Sequence, residues 1–393
     1  GMRKKRFGIP GIVVTAAATL LVTLGGVALA AWLVIGPQGL TLLEGLALIN
    51  TQFVGEYDEG EVVDAAMTAM VDALGDRWSH YLTAEDYAAQ QTRRENVYVG
   101  IGVTVTYADE RGLTIQAVSE GGPAEEAGLL AGEVITAVDG QSLAGEARYG
   151  ATTLIQGEEG TTVELELLGT DGVSRTVTVE RRRVETDPVS YEMLPGEIGY
   201  VRLENFYDRS AEQLNAAVDD LVGQGAVALV FDLRNNGGGY LRELTDMLDH
   251  LLPEGPIFRS QDRAGNETVT ESDAACVEVP MAVLVNANTY SAAEFFAAEL
   301  QEQGVGVIVG EATSGKGYSQ QTFPVPGGGA MSISTAKYFT GEGVSLIGTG
   351  LTLDRELSLS EEDAALLAAG TLEHSEDEQL QAALELLAER IDG

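Results

Sequence analysis

Only one cysteine, Cys276, occurs in 393 residues, so no internal disulfide can form, and a lone thiol reads as an ordinary buried or loop residue. Histidine is nearly as scarce. His80, His250 and His374 are scattered, and with a single cysteine they offer no zinc-ligand spacing, so neither a metal nor a cofactor is expected. Positive charge is also short: 23 Lys and Arg stand against 61 Asp and Glu, a formal charge of -38. Such a chain stays soluble but repels nucleic acid phosphates and anionic headgroups, which removes nucleic acid from the expected partners. Apolar residues are not short. At 45% they exclude a disordered chain, and the length suffices for two or three domains.

Gly1 ahead of Met2 reads as a remnant of expression. Arg3-Lys4-Lys5-Arg6 make residues 1–10 a basic end, and an uncharged segment from Phe7 to Leu43 follows, with its apolar centre at 11–35. That centre has about the 20 or so residues of a membrane-spanning helix and exceeds a signal-peptide apolar region. The expectation is a single-pass anchor over 11–35, with the basic end cytoplasmic and the body extracytoplasmic by the positive-inside bias. Ala28-Leu29-Ala30 offers the alternative of a signal peptide cleaved near Ala30 and a secreted body.

Residues 41–95 read as a small helical region, with Val63, Ala66, Met67, Met70, Val71 and Leu74 at three- and four-residue steps before Gly75. From 96 to 185 the pattern becomes short strands, such as Thr161-Thr-Val-Glu-Leu-Glu-Leu167. Tyr98-Val-Gly-Ile-Gly-Val103, Gly122-Pro-Ala-x-x-Ala-Gly-Leu-x-x-Gly-Glu-Val-Ile135 and Val138-Asp-Gly140 together resemble a PDZ domain. Such domains capture a peptide carboxy-terminus by strand addition, and the resemblance makes Val99, Gly100, Ile101 and Gly102 the loop whose amides hold the carboxylate.

Between 186 and 358 strands alternate with helices. Val227-Ala-Leu-Val-Phe-Asp-Leu233 is the unbroken apolar kind buried on both faces, and Ser210-x-x-Gln213 reads as a capping box that opens a helix. This alternation predicts a parallel-rich sheet covered by helices. The tail, 359–393, reads as acidic helix, with Leu380, Ala383, Leu384 and Leu387 forming a face for packing or for a partner subunit. The predicted fold class is multidomain α/β: membrane helix, helical preface, PDZ domain, α/β sheet core and helical tail.

The chemistry concentrates between Met281 and Gln320. Met281-Ala-Val-Leu-Val285 and Val305-Gly-Val-Ile-Val309 are strands whose carboxyl ends lead to Ser291 and Lys316, where ligands sit in open α/β sheets. Ser291 with Glu294 three residues on is also simply a capping box. Gly310-Glu-Ala-Thr-Ser-Gly-Lys316 matches most of a phosphate-binding loop, but Gly317 stands where that loop needs a hydroxyl, and no helix follows. A solvated lysine is the plain alternative. If Lys316 is buried, desolvation yields a neutral amine able to deprotonate a serine, and no histidine is placed to do so instead. Ala292 at the helix start and Gly238 of Gly237-Gly-Gly239 could supply oxyanion donors.

Asp232-Leu-Arg-Asn-Asn-Gly-Gly-Gly239, Asn286-x-x-Thr-Tyr-Ser-Ala-Ala-Glu294, Gly310-x-x-Thr-Ser-Gly-Lys-Gly-x-x-Gln320, Thr335-Ala-Lys-Tyr-Phe339 and Gly350-x-x-x-Asp354 follow one another in order. With the PDZ segment, they resemble the carboxy-terminal processing (tail-specific) serine peptidases from Gly55 to Ile391. The resemblance implies Ser291 as nucleophile, Lys316 as general base and Gln320 as the residue orienting the lysine, with Gly238 and Ala292 as oxyanion donors. It further implies protein or peptide substrates with exposed C-termini, a PDZ domain that captures the tail and gates the site, no cofactor or metal, and a homodimer. A catalytically silent scaffold that binds C-termini is the alternative. Two positions depart from the family pattern: Gly237 replaces a common proline, and Gln156 replaces a basic residue thought to link the PDZ domain to the active site.

Overall fold

The structure, a computed structural model, describes residues 9–392, so the basic cluster at residues 3–6 lies outside the described residues. The chain divides into two units, Gly1–Val63 and Asp64–Gly393. In the first, helix Ile9–Gln52 is interrupted at Gly36 (φ 67°, ψ 177°), directly before Pro37. Proline has no amide to continue the ladder and pushes the residue before it out of the helical region, so the break belongs there. Leu21 and Val22 are 70% and 76% exposed. Among the described residues no helix is long and apolar enough to cross a membrane. Several side chains of the expected anchor, among them 11, 12, 28 and 30, lie outside the described residues.

The second unit departs from the helical expectation at His80–Leu82. This is a strand, antiparallel to Ala330–Phe339 with His80 opposite Ser332, and its pairing partner lies too far along the chain for local periodicity to reveal it. Helix Ala84–Arg94 follows, capped by Thr83 Oγ1, which accepts the Asp86 amide at 3.2 Å.

Strands Val103–Thr106, Leu113–Val118, Val134–Val138, Thr162–Leu168 and Ser174–Glu180 form one antiparallel sheet. In Thr162–Leu168 the alternation is complete: Val163, Leu165 and Leu167 are buried and Thr162, Glu164 and Glu166 exposed. The short helix Pro123–Glu126 packs Pro123 and Ala124 into this core. Strands Val97–Gly100 and Arg182–Glu185 pair with each other and bring both ends of the module to one place.

The core sheet runs Val189–Leu194, Ile198–Leu203, Ala228–Asp232, Met281–Val285, Gly306–Gly310, Arg355–Glu356, antiparallel only at the first pairing. Its three central strands are buried at every position, which explains their unbroken apolar sequences. Leu214, Leu244, Met247, Phe295 and Phe296 from three helices cover one face. Leu380, Ala383 and Leu387 of Glu378–Asp392 cover the other, alongside Val230, Leu284 and Val309. That tail face is therefore used within the chain's own sheet. A second antiparallel sheet joins His80–Leu82, Tyr318–Pro324, Ala330–Phe339, Gly255–Asp262 and Glu267–Ser272.

Helix Ser210–Gly223 starts differently from its capping-box reading. Its N-cap is Arg209 in a left-handed conformation (φ 73°), and the Glu243 carboxylate from Leu241–Leu251 accepts the Ala211 amide at 2.8 Å. Gln213 instead reaches Asp187. A tertiary carboxylate thus supplies the acceptor that the local motif promised.

The tail is held by a buried charge cluster. Arg234 donates to Asp232 at 2.9 and 2.6 Å, to Asp377 at 3.0 and 2.6 Å and to Gln379 Oε1 at 3.0 Å, and Asp232 is fully buried. Removing one carboxylate leaves a buried guanidinium underpaired, which costs several kcal/mol. Asp377→Ala is expected to lower stability by about 3 kcal/mol in urea unfolding; an unchanged midpoint would show that the cluster does not hold the tail.

Candidate active site

Ser291 stands between the buried strand Met281–Val285 and helix Ala292–Glu302, with φ 60° and ψ -128°. A non-glycine residue held there costs on the order of 1–3 kcal/mol and needs its surroundings to fix it. They do so at several points. Thr289 Oγ1 donates to the Leu233 carbonyl at 2.8 Å, the Tyr290 amide to the Asn236 carbonyl at 3.2 Å, and the Asn235 amide to Asn286 Oδ1 at 2.9 Å. The serine turn is thereby tied to the glycine-rich turn after Asp232.

Glu294 makes the next tie. It is fully buried, and its Oε2 accepts the amides of Ser291 at 3.0 Å and Lys316 at 2.9 Å. Oε1 accepts the Gly315 amide at 2.7 Å and the Thr313 hydroxyl at 2.6 Å. Four donors satisfy one carboxylate, so its burial is compensated. The phosphate-loop reading of 310–316 is overturned here: the amides that would cradle phosphate hold Glu294, and the chain continues into strand Tyr318–Pro324 rather than a helix.

Lys316 is half-buried, its Nζ 4.8 Å from the Trp78 ring centre and 5.7 Å from that of Tyr290. Burial lowers its pKa to about 8; Asp76 and Glu294 oppose the shift, and Arg94 and Arg77 add to it. Ser291, Lys316 and Gln320 line one cavity of about 660 Å³, together with Arg94, Gly239 and Tyr290. Gln320 Nε2 donates to the Tyr318 carbonyl at 3.1 Å and to Ser334 Oγ at 3.0 Å.

Gly238 and Ala292, the two expected oxyanion donors, are neighbours in space but differ in what their amides can do. Gly238 (φ +81°) lies against the serine: a Cβ on it would sit 2.8 Å from the Ala292 amide nitrogen and 3.0 Å from Ser291 Cβ, so only glycine fits. Its own amide, however, donates to Asn236 Oδ1 at 2.8 Å, because an asparagine two residues back closes an Asx turn over it. Ala292 is the first residue of its helix, where an amide has no intrahelical acceptor. At Gly237 the Tyr290 phenol fills the space of a side chain, with its oxygen 2.5 Å from where a Cβ would be.

In the PDZ loop, Ile101 is buried and Gly102 has φ +79°. A Cβ on Gly100 would lie 2.6 Å from the Tyr98 ring, so this ring covers the loop. Burial raises the Tyr98 phenol, and hydrogen bonds from the Gly102 and Val103 amides partly offset that. The phenol thus lies near Gly102, one of the four loop residues expected to hold a peptide carboxylate. Gln156 is exposed at the C-cap of helix Ala151–Ile155.

Sequence reasoning missed Tyr98, Trp78, Ser334 and Asp76 at these sites, and saw in Glu294 only a helix cap. The one local signal was Asp76-Arg-Trp78, where Asp76 Oδ1 accepts the Trp78 amide at 3.1 Å, although a turn of this kind does not announce its distant partner. Glu294→Ala is expected to remove hydrogen-exchange protection from the Gly315 and Lys316 amides while helix Ala292–Glu302 stays protected; retained protection at both would show that another group holds this loop.

The sequence profile of Peptidase family S41 matches residues 197–357, and that of the PDZ domain matches 114–168. The chain is 32% identical to a carboxyl-terminal-processing protease of Synechocystis sp., over 82% of this chain and 76% of that one. It is 31% identical to the chloroplastic C-terminal processing peptidase of Tetradesmus obliquus, over 74% of this chain and 67% of that one. In fold it resembles the crystal structure of an S41-family protein from Bacteroides fragilis, with a TM-score of 0.57 at 20% identity over 82% of this chain and 90% of that chain. At 32% identity over most of both chains, and with the family S41 profile over its core, the chain belongs to the carboxyl-terminal processing serine peptidases of family S41.

Proposed function

We propose that this chain is an endopeptidase that cleaves exported protein substrates near their C-termini through an acyl-enzyme on Ser291, with Lys316 as base and Gln320 orienting it. The observation that carries the reading is the half-buried Lys316 in the cavity of a backbone-strained Ser291. Neutral Lys316 takes the proton of Ser291 Oγ as that oxygen attacks the scissile carbonyl. The Ala292 amide, at a helix N-terminus, faces the developing oxyanion. Gly238 joins it once Asn236 releases its amide. The ammonium then protonates the departing amine, and water hydrolyses the ester by the same route in reverse.

The PDZ module receives the substrate's terminal carboxylate at Val99 to Gly102 after the Tyr98 ring moves aside, which makes tail binding the event that opens the loop. The uncharged apolar run over 11–35 behind Arg3-Lys4-Lys5-Arg6 supports a membrane anchor with an extracytoplasmic body. If so, the full chain stays with membranes through an alkaline wash; release by that wash would favour cleavage near Ala30 or a peripheral attachment.

Hydrolysis of casein, or of a peptide with a free C-terminal tail, tests the assignment. Ser291→Ala and Lys316→Ala are each expected to lower kcat/KM by roughly a thousandfold or more, and unchanged hydrolysis in either variant sinks it. Since the base must be neutral, activity rises with pH along a limb centred near the Lys316 value of about 8. Amidating the peptide's C-terminus is expected to slow cleavage; equal rates would remove the tail-capture role.

A further inference from the structure

Behind the cavity of Ser291, the turn from Gly75 to Ser79 closes on strand Ala330–Phe339. Asp76 Oδ2 accepts the hydroxyls of Ser79 and Ser334, both at 2.6 Å, and Ser79 Oγ accepts the Ser334 amide at 3.0 Å. Ser334 Oγ in turn accepts Gln320 Nε2 at 3.0 Å. From the same turn Trp78 sets its ring over Lys316 Nζ, and Arg77 stacks 4.1 Å from the Trp78 ring centre. One element thus meets the lysine directly and reaches the glutamine through Ser334.

We propose that Asp76, acting through Ser334, fixes the orientation of Gln320 and the charge environment of Lys316, so that the turn from Gly75 to Ser79 is a positioning element for the base. This rests on Lys316 being the base.

The direction of the hydrogen bonds carries the inference. Burial pushes the Asp76 carboxyl up, but hydrogen bonds from Ser334, Ser79 and two backbone amides hold it below its ordinary value, so it is ionised and can only accept. Ser334 therefore gives its proton to Asp76 and offers Gln320 only a lone pair. The Gln320 amide group has two protons, and the Ser334 oxygen and the Tyr318 carbonyl take both. Turning the side chain over would set Oε1 against these two acceptors, losing both bonds. The amide is locked one way, and Oε1 remains as the acceptor for a lysine N–H.

Charge adds a second effect. Asp76 and Glu294 favour the ammonium of Lys316, while burial, Arg94 and Arg77 disfavour it, and His80 lines the same cavity. Glu294 already holds four donors. Removing the Asp76 charge therefore moves the lysine toward an earlier loss of its proton.

Peptide hydrolysis by the full chain, followed as kcat and KM against pH, tests this. Ser334→Ala is expected to lower kcat roughly tenfold to a hundredfold at nearly unchanged KM, and Ser334→Thr, which keeps the hydroxyl, restores most of it. Asp76→Asn is expected to lower kcat and to move the acid limb down by roughly one pH unit. A purely structural role would lower melting temperature without moving that limb. If Lys316→Ala is inactive while Asp76→Asn keeps the wild-type limb, the relay is overturned. If Lys316→Ala is active, the base assignment itself falls. Should Asp76→Asn fail to fold, the serine pair decides: equal loss in Ala and Thr overturns the proposal, and recovery in Thr alone supports it.

Discussion

The buried carboxylate of Glu294 joins the serine turn to the lysine loop of the candidate site. It begins the helix after the serine and also terminates the loop that carries the lysine, taking the Ser291 and Lys316 amides on a single oxygen. A carboxylate without solvent is stable only when its lone pairs are filled, and the four donors available come from just these two segments. The requirement works in both directions. The charge needs the loop in place, and the loop, which has no regular ladder of its own between Gly310 and Tyr318, needs the charge. The strained backbone of Ser291 is held on one side by this carboxylate and on the other by the turn after Asp232.

A second theme is that the chain supplies its own partner for an amide expected to serve a substrate. Asn236 takes the amide of Gly238, and the Tyr98 ring lies against Gly100. A backbone donor left bare away from water is costly, so an empty binding site is stabilised when a nearby side chain fills it.

Much of the architecture was legible because it repeats locally. The unbroken apolar strands at 228–232, 281–285 and 306–310 and the alternation at 162–168 follow directly from burial on two faces and on one. That Ser291 and Lys316 would come to one cavity was legible because each follows such a strand. Less visible were features made by distant partners: the strand His80–Leu82, the cap that Glu243 gives to Ala211, and the chain from Gln320 through Ser334 to Asp76. In each, the residue type permits several roles, and only a contact from another part of the chain selects one.

The sequence by itself determined the family, the order of modules and the residues that can carry the chemistry, since periodicity and motif spacing are properties of neighbours along the chain. It left Ser291 as cap or nucleophile and Lys316 as surface, phosphate or catalytic lysine, because a hydroxyl and an amine have no fixed pKa or partner until their surroundings are known. Tertiary structure added the burial and the hydrogen-bond directions around both residues. Desolvation between Trp78 and Tyr290 lowers the lysine, the Glu294 carboxylate excludes phosphate from its loop, and the Asx turn of Asn236 determines that the glycine expected to donate is already donating elsewhere.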